Sequence, residues 1–424
     1  MRPDFSYILN VLYSLLQKQQ PEVNSIREAA LLLQRKHQGE QMKIFHLSDL
    51  HIGLRLMNHD LSEDQEYILK EITELAEREQ PDAVLIAGDI YDKAVPSAEA
   101  VELFDRFVSG LTKAVPEAEI MMISGNHDSA PRVNMFRSVL RRQRIHMIGT
   151  PPQRPEEHIE KVTLQDEFGN VNFYLLPFVK PSVVKAVTGT DANGNNLSYD
   201  ETLRRLIGRE EIDPEERNVL VSHQFYLPAG QDPEKVERMD SEIRTVGNID
   251  EVRTDVLEPF DYAALGHIHK PMKAGSDYYR YSGTPLACSV SEAGQKKGVI
   301  VVELKEKGQI ALSVLPLTPL REVRVIRGTL EEVLKQGCGD YVRVVLTDKV
   351  DLDVFDMQDR LHHAFPYLLE IRREVIRGAD YAAEYTEEAA LDPFELCCAF
   401  LKDLDEEEQL LLKEVINRVQ EVQE

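Results

Sequence analysis

Lys43-Ile-Phe-His-Leu-Ser48 followed at once by Asp49-Leu-His51 is the stretch from which the rest of the chain can be read. A short apolar run, strand-like in composition, breaks off into a polar cluster. The pattern then recurs. Ala83-Val-Leu-Ile-Ala87 leads to Gly88 and Asp89, and Ile120-Met-Met-Ile-Ser124 leads to Gly125, Asn126, His127 and Asp128. Val219-Leu-Val-Ser222 leads to His223, and Tyr262-Ala-Ala-Leu265 leads to Gly266, His267 and His269. Helical spacing over 64–78 and 97–111 separates the early runs. Continuous apolar strands alternating with helices predict an α/β core whose strands are covered on both faces. In such cores the functional groups sit beyond the carboxyl ends of the strands, where every polar cluster falls.

The residue types in these clusters predict metal chemistry. Asp49-x-His51 and His267-x-His269 are i, i+2 pairs, and in extended backbone such side chains point the same way. Carboxylates, imidazoles and one carboxamide make a ligand set suited to Mn²⁺, Fe²⁺ or Zn²⁺. Asp49, His51, Asp89, Asn126, His223, His267 and His269 are too many for one tetrahedral ion. They suit two divalent ions sharing a carboxylate, a device for in-line displacement at phosphorus. His127, next to Asn126, diverges from it and is expected beside the phosphate as a proton donor. Asp128 is expected to orient that imidazole. Singly, each cluster also reads as a turn or a satisfied histidine pair; five in series at strand ends favour the site. His37, His46, His59, His146, His158, His362 and His363 lack this setting.

The remaining composition bounds the function. The chain has 424 residues, enough for two or three domains. Its net charge of −25 argues against a generally basic nucleic-acid binder. The acid is concentrated at the end, however. Residues 384–424 hold thirteen acidic groups against three basic. Bound divalent ions would also place positive charge where a phosphate needs it. Cys288, Cys338, Cys397 and Cys398 show no CxxC spacing, and a reducing cytoplasm is the expectation. No run reaches the length of a membrane span, and the short apolar run 7–16 lacks a cleavage site.

Four segments are expected. Residues 1–41 form an N-terminal helical extension of no assigned role, and 42–317 carry the clusters. A β-α-β-α-β order then predicts a small α/β domain over 318–384, and 385–424 is an acidic helical tail.

Asp49-x-His51, Gly88-Asp89, Gly125-Asn-His-Asp128, His223 and Gly266-His-x-His269 resemble the five motifs of the calcineurin-like metallophosphoesterases. The resemblance implies a four-layer α-β-β-α sandwich. It implies that Asp49, His51, Asp89 and His269 hold one metal and Asp89, Asn126, His223 and His267 the other, with His127 as the catalytic donor. Asp92 stands where some distant relatives carry a second histidine and is read as loop support. Further stretches (Tyr281-Ser-Gly-Thr-Pro-Leu286 and Glu292-Ala-Gly-Gln-Lys-Lys-Gly298) are similar to the SbcD family of bacterial nuclease subunits. That likeness covers about residues 42–375.

The likeness implies a Mn²⁺-dependent enzyme, a double-strand exonuclease and single-strand or hairpin endonuclease. It would work with an SbcC-type coiled-coil ATPase in DNA end processing, repair and recombination. It further implies a homodimer within a heterotetramer, a DNA-facing cap at 318–384, and a bacterial cytoplasmic location, on the nucleoid when bound. The family's tail binds the root of the ATPase coiled coil. Leu391, Phe394, Leu396, Phe400, Leu401 and Leu404 would supply that apolar face, unless they pack on this chain's own core. Arg132, Arg137, Arg141, Arg142 and Arg144 are candidates to position a phosphate backbone, or form a solvated helix face. Two other readings stand beside this one. A metallophosphoesterase acting on a nucleotide or other small phosphodiester lacks the need for a cap. A scaffold tends to lose ligands, and here all seven positions are filled. Gly88-Asp-Ile-Tyr-Asp-Lys-Ala94 lacks the arginine usual in protein phosphatases of this superfamily.

Overall fold

The computed structural model describes residues 41–228, 251–348 and 354–374, together with Leu412. The expected helices of 1–40 and the acidic tail, including Leu391, Phe394, Leu396, Phe400, Leu401 and Leu404, lie outside the described residues. The described residues up to Glu374 belong to one compact unit.

Two six-stranded sheets face each other. In the first, Met42–Leu47, Ala83–Ala87, Glu119–Ile123 and Ile145–Ile148 run parallel in that order. Gly298–Leu304 and Ile310–Pro316 add antiparallel on the free side of Met42–Leu47. In the second, Gly169–Leu176, Arg217–His223, Tyr262–Gly266 and Tyr279–Tyr281 are parallel neighbours. Glu160–Asp166 and Met272–Lys273 close its edges antiparallel.

The continuous apolar runs have a physical cause. Alternate side chains of each strand enter different cores, so both faces need hydrophobic residues. Ile44, Leu85, Met121 and Ile123 face Phe173, Leu175, Val219, Val221 and Tyr262 between the sheets. Phe45, Leu47, Val84, Ile86 and Met122 face outward against Ile68, Ile72, Phe104, Phe107 and Leu111. Those last residues belong to helices Ser62–Glu79 and Ala98–Ala114. The second of these is capped by Ser97, whose side chain accepts from the Ala100 amide. On the far side, helices Pro181–Thr188 and Tyr199–Gly208 place Val184, Leu203 and Leu206 on Tyr174, Leu220 and Leu265. The result is an α-β-β-α sandwich, the fold class expected above.

Beyond it lies a third sheet of three parallel strands, Val323–Gly328, Tyr341–Leu346 and Tyr367–Arg373. Helices Leu330–Leu334 and Val354–Ala364 connect them, the first opened by a capping box between Thr329 and Glu332. The unit has its own core of Ile326, Val333, Val342, Val344, Leu361 and Phe365. It is joined to the sandwich by Val323 and Tyr341, which enter the outer core, and by polar contacts. Arg321 Nη1 donates to Asp64 Oδ2 at 2.7 Å and Tyr341 Oη donates to the same oxygen at 2.8 Å. The Arg321 guanidinium also lies 4.6 Å from the Tyr367 ring centroid. His59 Nε2 donates to the Leu368 carbonyl at 3.2 Å. No helix among the described residues is long and apolar enough to cross a membrane.

Candidate metal centre

The loops that leave Met42–Leu47 and Ala83–Ala87 run side by side. The Asp49 amide donates to Gly88 O and the His51 amide to Asp89 O, both at 3.0 Å. Gln65, from the helix that follows, clamps the first loop, with its Nε2 on His51 O at 2.7 Å and its Oε1 on the Gly53 amide at 2.9 Å. The expected extended backbone is not what aims these side chains. Asp49 (φ 53°), His51 (φ 43°), Asp89 (φ 46°) and His267 (φ 98°) all take left-handed conformations. Residues other than glycine rarely do so, and the cost of order 1–3 kcal/mol each is borne where surrounding contacts over-determine the geometry. Space is tight as well. A Cβ on Gly88 would strike the His223 ring, and one on Gly266 would strike the Ala87 carbonyl. Glycine before Asp89 and before His267 is therefore a packing requirement.

The seven predicted side chains converge. His51 Nε2 and His269 Nε2 lie 3.1 Å apart, with Asp49 in the same group. Asp89 Oδ2 is 3.8 Å from His51 Nε2 and 3.2 Å from His223 Nε2. Asn126 Oδ1 is 3.0 Å from His223 Nε2 and 2.9 Å from His267 Nδ1. His267 and His269 thus turn to opposite sides instead of acting as one pair. Asp89 lies between the two groups.

Electrostatics make this a place for cations. A carbonyl oxygen only accepts, so the contact at 2.7 Å makes His223 Nδ1 the donor to Ala87 O. In the neutral ring, Nε2 is then a lone pair facing the Asp89 carboxylate and the Asn126 oxygen. Three acceptors meet there, and only a proton or a cation relieves them. Burial pulls the His223 pKa down, but Asp89 and Asp49 outweigh it and lift it to about 9. Burial resists ionisation of Asp89, but His223, His51 and His127 hold its carboxyl far below the usual carboxylate range. Burial pushes the Asp49 carboxyl up, against the pull of His223 and His269. For His51, burial and the charge of His269 depress the pKa well below normal, so the ring is neutral and able to ligate.

His127 is half-buried at the edge of this group. Its Nδ1 donates to the Asp92 carbonyl at 2.9 Å, and its ring stands edge-on to His51 with centroids 4.8 Å apart. Its amide donates to Asp89 Oδ1 at 2.8 Å. Asp128 does not orient the imidazole, contrary to the expectation from sequence. Its two oxygens instead accept the amides of Ile90, Tyr91 and Gly125 at 2.9–3.0 Å, tying two loops together. A side chain adjacent in sequence points away from its neighbour, and the free backbone amides of the loops capture it. Burial and the charge of Asp89 raise the Asp128 carboxyl to about 6. The ring partner is the backbone of Asp92, whose carboxylate Oδ1 also lies 3.8 Å from His51 Nδ1.

The arginine segment is two short helices and a 3-10 turn. Arg137 and Arg141 both pair with Glu160, and Arg144 pairs with Glu117 and Glu119. Three of the five candidate phosphate contacts are thereby engaged within the chain. Arg132, Arg141, Arg142 and Arg144 are all exposed. The histidines set aside as background have other partners: His46 bonds Tyr262 Oη, and His146 bonds Glu119. Sequence reasoning missed Glu292 and Lys297. They lie in one of the family-like stretches, but nothing in their spacing shows that both are buried behind His269.

A sandwich of two mixed sheets with carboxylates, imidazoles and an amide at its strand ends defines a metal-dependent phosphoesterase. The family model described as calcineurin-like phosphoesterase matches residues 42–271. A second model, that of the SbcD C-terminal domain (described as type 5 capsule protein repressor C-terminal domain), matches 319–404. The chain is 31% identical over 341 residues to the SbcD component of the nuclease SbcCD of Staphylococcus epidermidis, covering 79% of this chain and 86% of that one. Among solved structures it is similar to a dimetal phosphatase from Danio rerio (12% identity, TM-score 0.37, 67% of this chain and 100% of that one). It is also similar to GAP50, the anchor in the inner membrane complex of Plasmodium (11% identity, TM-score 0.38, 80% of this chain and 99% of that one). The chain belongs to the calcineurin-like phosphoesterases, in the family of SbcD nucleases. It is accordingly a hydrolase of phosphodiester bonds, in a family that works with divalent metal ions.

Proposed function

We propose that this chain is the Mn²⁺-dependent nuclease component of a complex with an SbcC-type coiled-coil ATPase. In this reading it trims duplex DNA ends and opens hairpins in the bacterial cytoplasm. The observation that carries the catalytic part is the pair of acceptor groups meeting at Asp89. Asp49, His51 and His269 stand on one side, and Asn126, His223 and His267 on the other. The donor set of these seven side chains is oxygen and imidazole, which suits Mn²⁺. Two bound ions would supply Lewis acidity at the phosphate and a nucleophilic water at neutral pH.

The chain's own residues do the rest. With Nδ1 held by the Asp92 carbonyl, His127 has one nitrogen left to exchange a proton, Nε2, and the ring borders solvent. In its protonated form the ring delivers the Nε2 proton to the leaving oxygen and keeps Nδ1–H on the Asp92 carbonyl. Asp128 holds the Gly125 and Ile90 amides, and so fixes the loops that carry Asn126, His127 and Asp89. Asp92 supports the ring through its backbone.

DNA as substrate is supported by the nuclease relative and by the three-stranded unit beside the sandwich, which we assign as a DNA-facing cap over 318–384. Arg132 and Arg142 remain the candidate backbone contacts of their segment. The acidic tail from 385, with its apolar residues, is assigned to the ATPase, and a homodimer within a heterotetramer is the assembly proposed.

The test is cleavage of labelled duplex and hairpin DNA by the full chain with Mn²⁺, with and without the ATPase, beside His127→Ala. Metal-dependent cutting by wild type and its loss in the variant is the expected result. Equal cutting by both overturns the role of His127. Hydrolysis of small phosphodiesters without any attack on DNA replaces the substrate assignment.

A further inference from the structure

The stretch Glu292-Ala-Gly-Gln-Lys-Lys-Gly298 enters no part of the mechanism above, yet it contains a buried ion pair. Glu292 is 1% exposed and Lys297 8%. Lys297 Nζ donates to Glu292 Oε2 at 2.7 Å, Thr284 Oγ1 at 2.8 Å, Gln295 Oε1 at 2.9 Å and the His269 carbonyl at 3.0 Å. Glu292 Oε1 accepts the Cys288 amide at 3.2 Å and faces His269 Nδ1 at 3.6 Å. The opposite nitrogen of that ring, Nε2, faces His51.

An ammonium with four acceptors is held rigidly. It grips the backbone of His269 and the carboxylate behind its ring at once. A buried pair of this kind is a poor source of stability, because desolvation offsets the attraction. Its geometry has a different use. A carboxylate on one ring nitrogen of a histidine fixes the tautomer, leaves the other nitrogen as a lone pair and raises its basicity.

From this geometry we propose that Glu292 is a positioning residue for His269. With Lys297 as its anchor, it holds Nδ1 as the protonated nitrogen and presents Nε2 to the metal centre. The proposal rests on the reading that His269 ligates a metal ion. Thr284 completes the anchor, since its hydroxyl donates to Glu292 Oε2 at 2.9 Å and its amide to the His269 carbonyl at 3.1 Å. The stretches 281–286 and 292–298 thus act as one support for one histidine.

The experiment is Mn²⁺ titration of the chelator-stripped full chain, read by calorimetry and by the EPR signal of free Mn²⁺, with a thermal melt of each variant. Glu292→Gln is expected to melt below wild type, since it leaves Lys297 without its counter-charge, and in the folded protein to weaken one of two Mn²⁺ equivalents roughly 10–100-fold. His269→Ala should lose that same equivalent, and Glu292→Gln should add nothing further in its background. Wild-type affinity in a folded Glu292→Gln variant overturns the proposal. So does an equal loss on the two backgrounds, which would place Glu292 elsewhere. If His269→Ala keeps both equivalents, the metal-site reading itself fails, separately and visibly. Should Glu292→Gln not fold, the apolar replacement of both partners, Glu292→Met with Lys297→Met, carries the same expected loss. Unchanged Mn²⁺ affinity there overturns the proposal too.

Discussion

At the carboxyl ends of the central strands, Asp49, His51, Asp89 and His267 all sit at positive φ, whereas none of the described residues from Val323 to Arg373 does. The three-stranded unit is built from regular elements with a capping box and an apolar core. The metal centre is built from left-handed turns, buried carboxylates and facing ring nitrogens. One region obeys local propensity and is stable by it; the other breaks local rules and is held by its surroundings. The contrast teaches where stability and chemistry reside, and it can be tested by separating them.

The largest effect is expected from Asp89→Ala, which removes the carboxylate common to both acceptor groups. Phosphodiester hydrolysis should fall to background and bound metal should drop in elemental analysis. The metal-free protein should lose stability too, because this carboxylate accepts the His127 amide and faces His223. Metal-dependent hydrolysis that survives the change would break the contrast. His127→Ala should lower kcat about 10²–10⁴-fold, as loss of a proton donor does, with metal content unchanged. A parallel loss of metal would make His127 a ligand instead.

On the other side, Arg321→Met leaves the Asp64 carboxylate, itself 0% exposed, without its charge partner. Chemical denaturation should show a loss of about 3 kcal/mol, the low end for breaking a buried pair. Hydrolysis of a small phosphodiester should be unaffected. Tyr341→Phe deletes one hydrogen bond to the same oxygen and should cost about 1 kcal/mol. If either variant abolished hydrolysis of small substrates, the two regions would be coupled and the separation wrong.

Acid probes the buried pair behind His269. Burial resists ionisation of Glu292, but His269 and Lys297 outweigh it and lower its pKa from 4.5 to about 2. A folded pKa below the unfolded one stabilises above 4.5, and that contribution is lost as pH falls toward 2. In metal-free protein, Glu292→Gln should therefore flatten the stability curve between pH 4.5 and 2 and leave its shape above pH 5 alone. An unchanged acid limb would deny the ion pair its strength.

What could be read from the sequence follows the same division. The small unit was legible in its β-α-β-α-β order, because strand and helix periods there are undisturbed. Val323–Gly328, Leu330–Leu334, Tyr341–Leu346, Val354–Ala364 and Tyr367–Arg373 follow that order. At the candidate metal centre the residue types at strand ends were legible, and the structure brings them together, but their geometry was not. Nothing in Asp49-x-His51 announces left-handed backbone, and the extended reading reached the right side chains by the wrong path. Asp128 was misplaced because competition from backbone amides is invisible in a string of letters. Asp64 reads as an ordinary first-turn acid of a helix, and its partners Arg321 and Tyr341 are more than 250 positions away. The pairing of Arg137 and Arg141 with Glu160, and of Arg144 with Glu117 and Glu119, is likewise invisible in the sequence.

One consequence concerns time. His51 and His269 meet across 218 positions of sequence, and the Met42–Leu47 strand takes one of its neighbours from Gly298–Leu304. Contacts this remote form late, after the loop-closure entropy between them has been overcome. A ribosome that has released Asp49, His51, Asp89 and Asn126 has made half a binding site with no means of closing it. If the proposed ions bind there, they would enter a closed molecule, and a cell starved of them should accumulate folded, inactive chains that recover on resupply without being made anew.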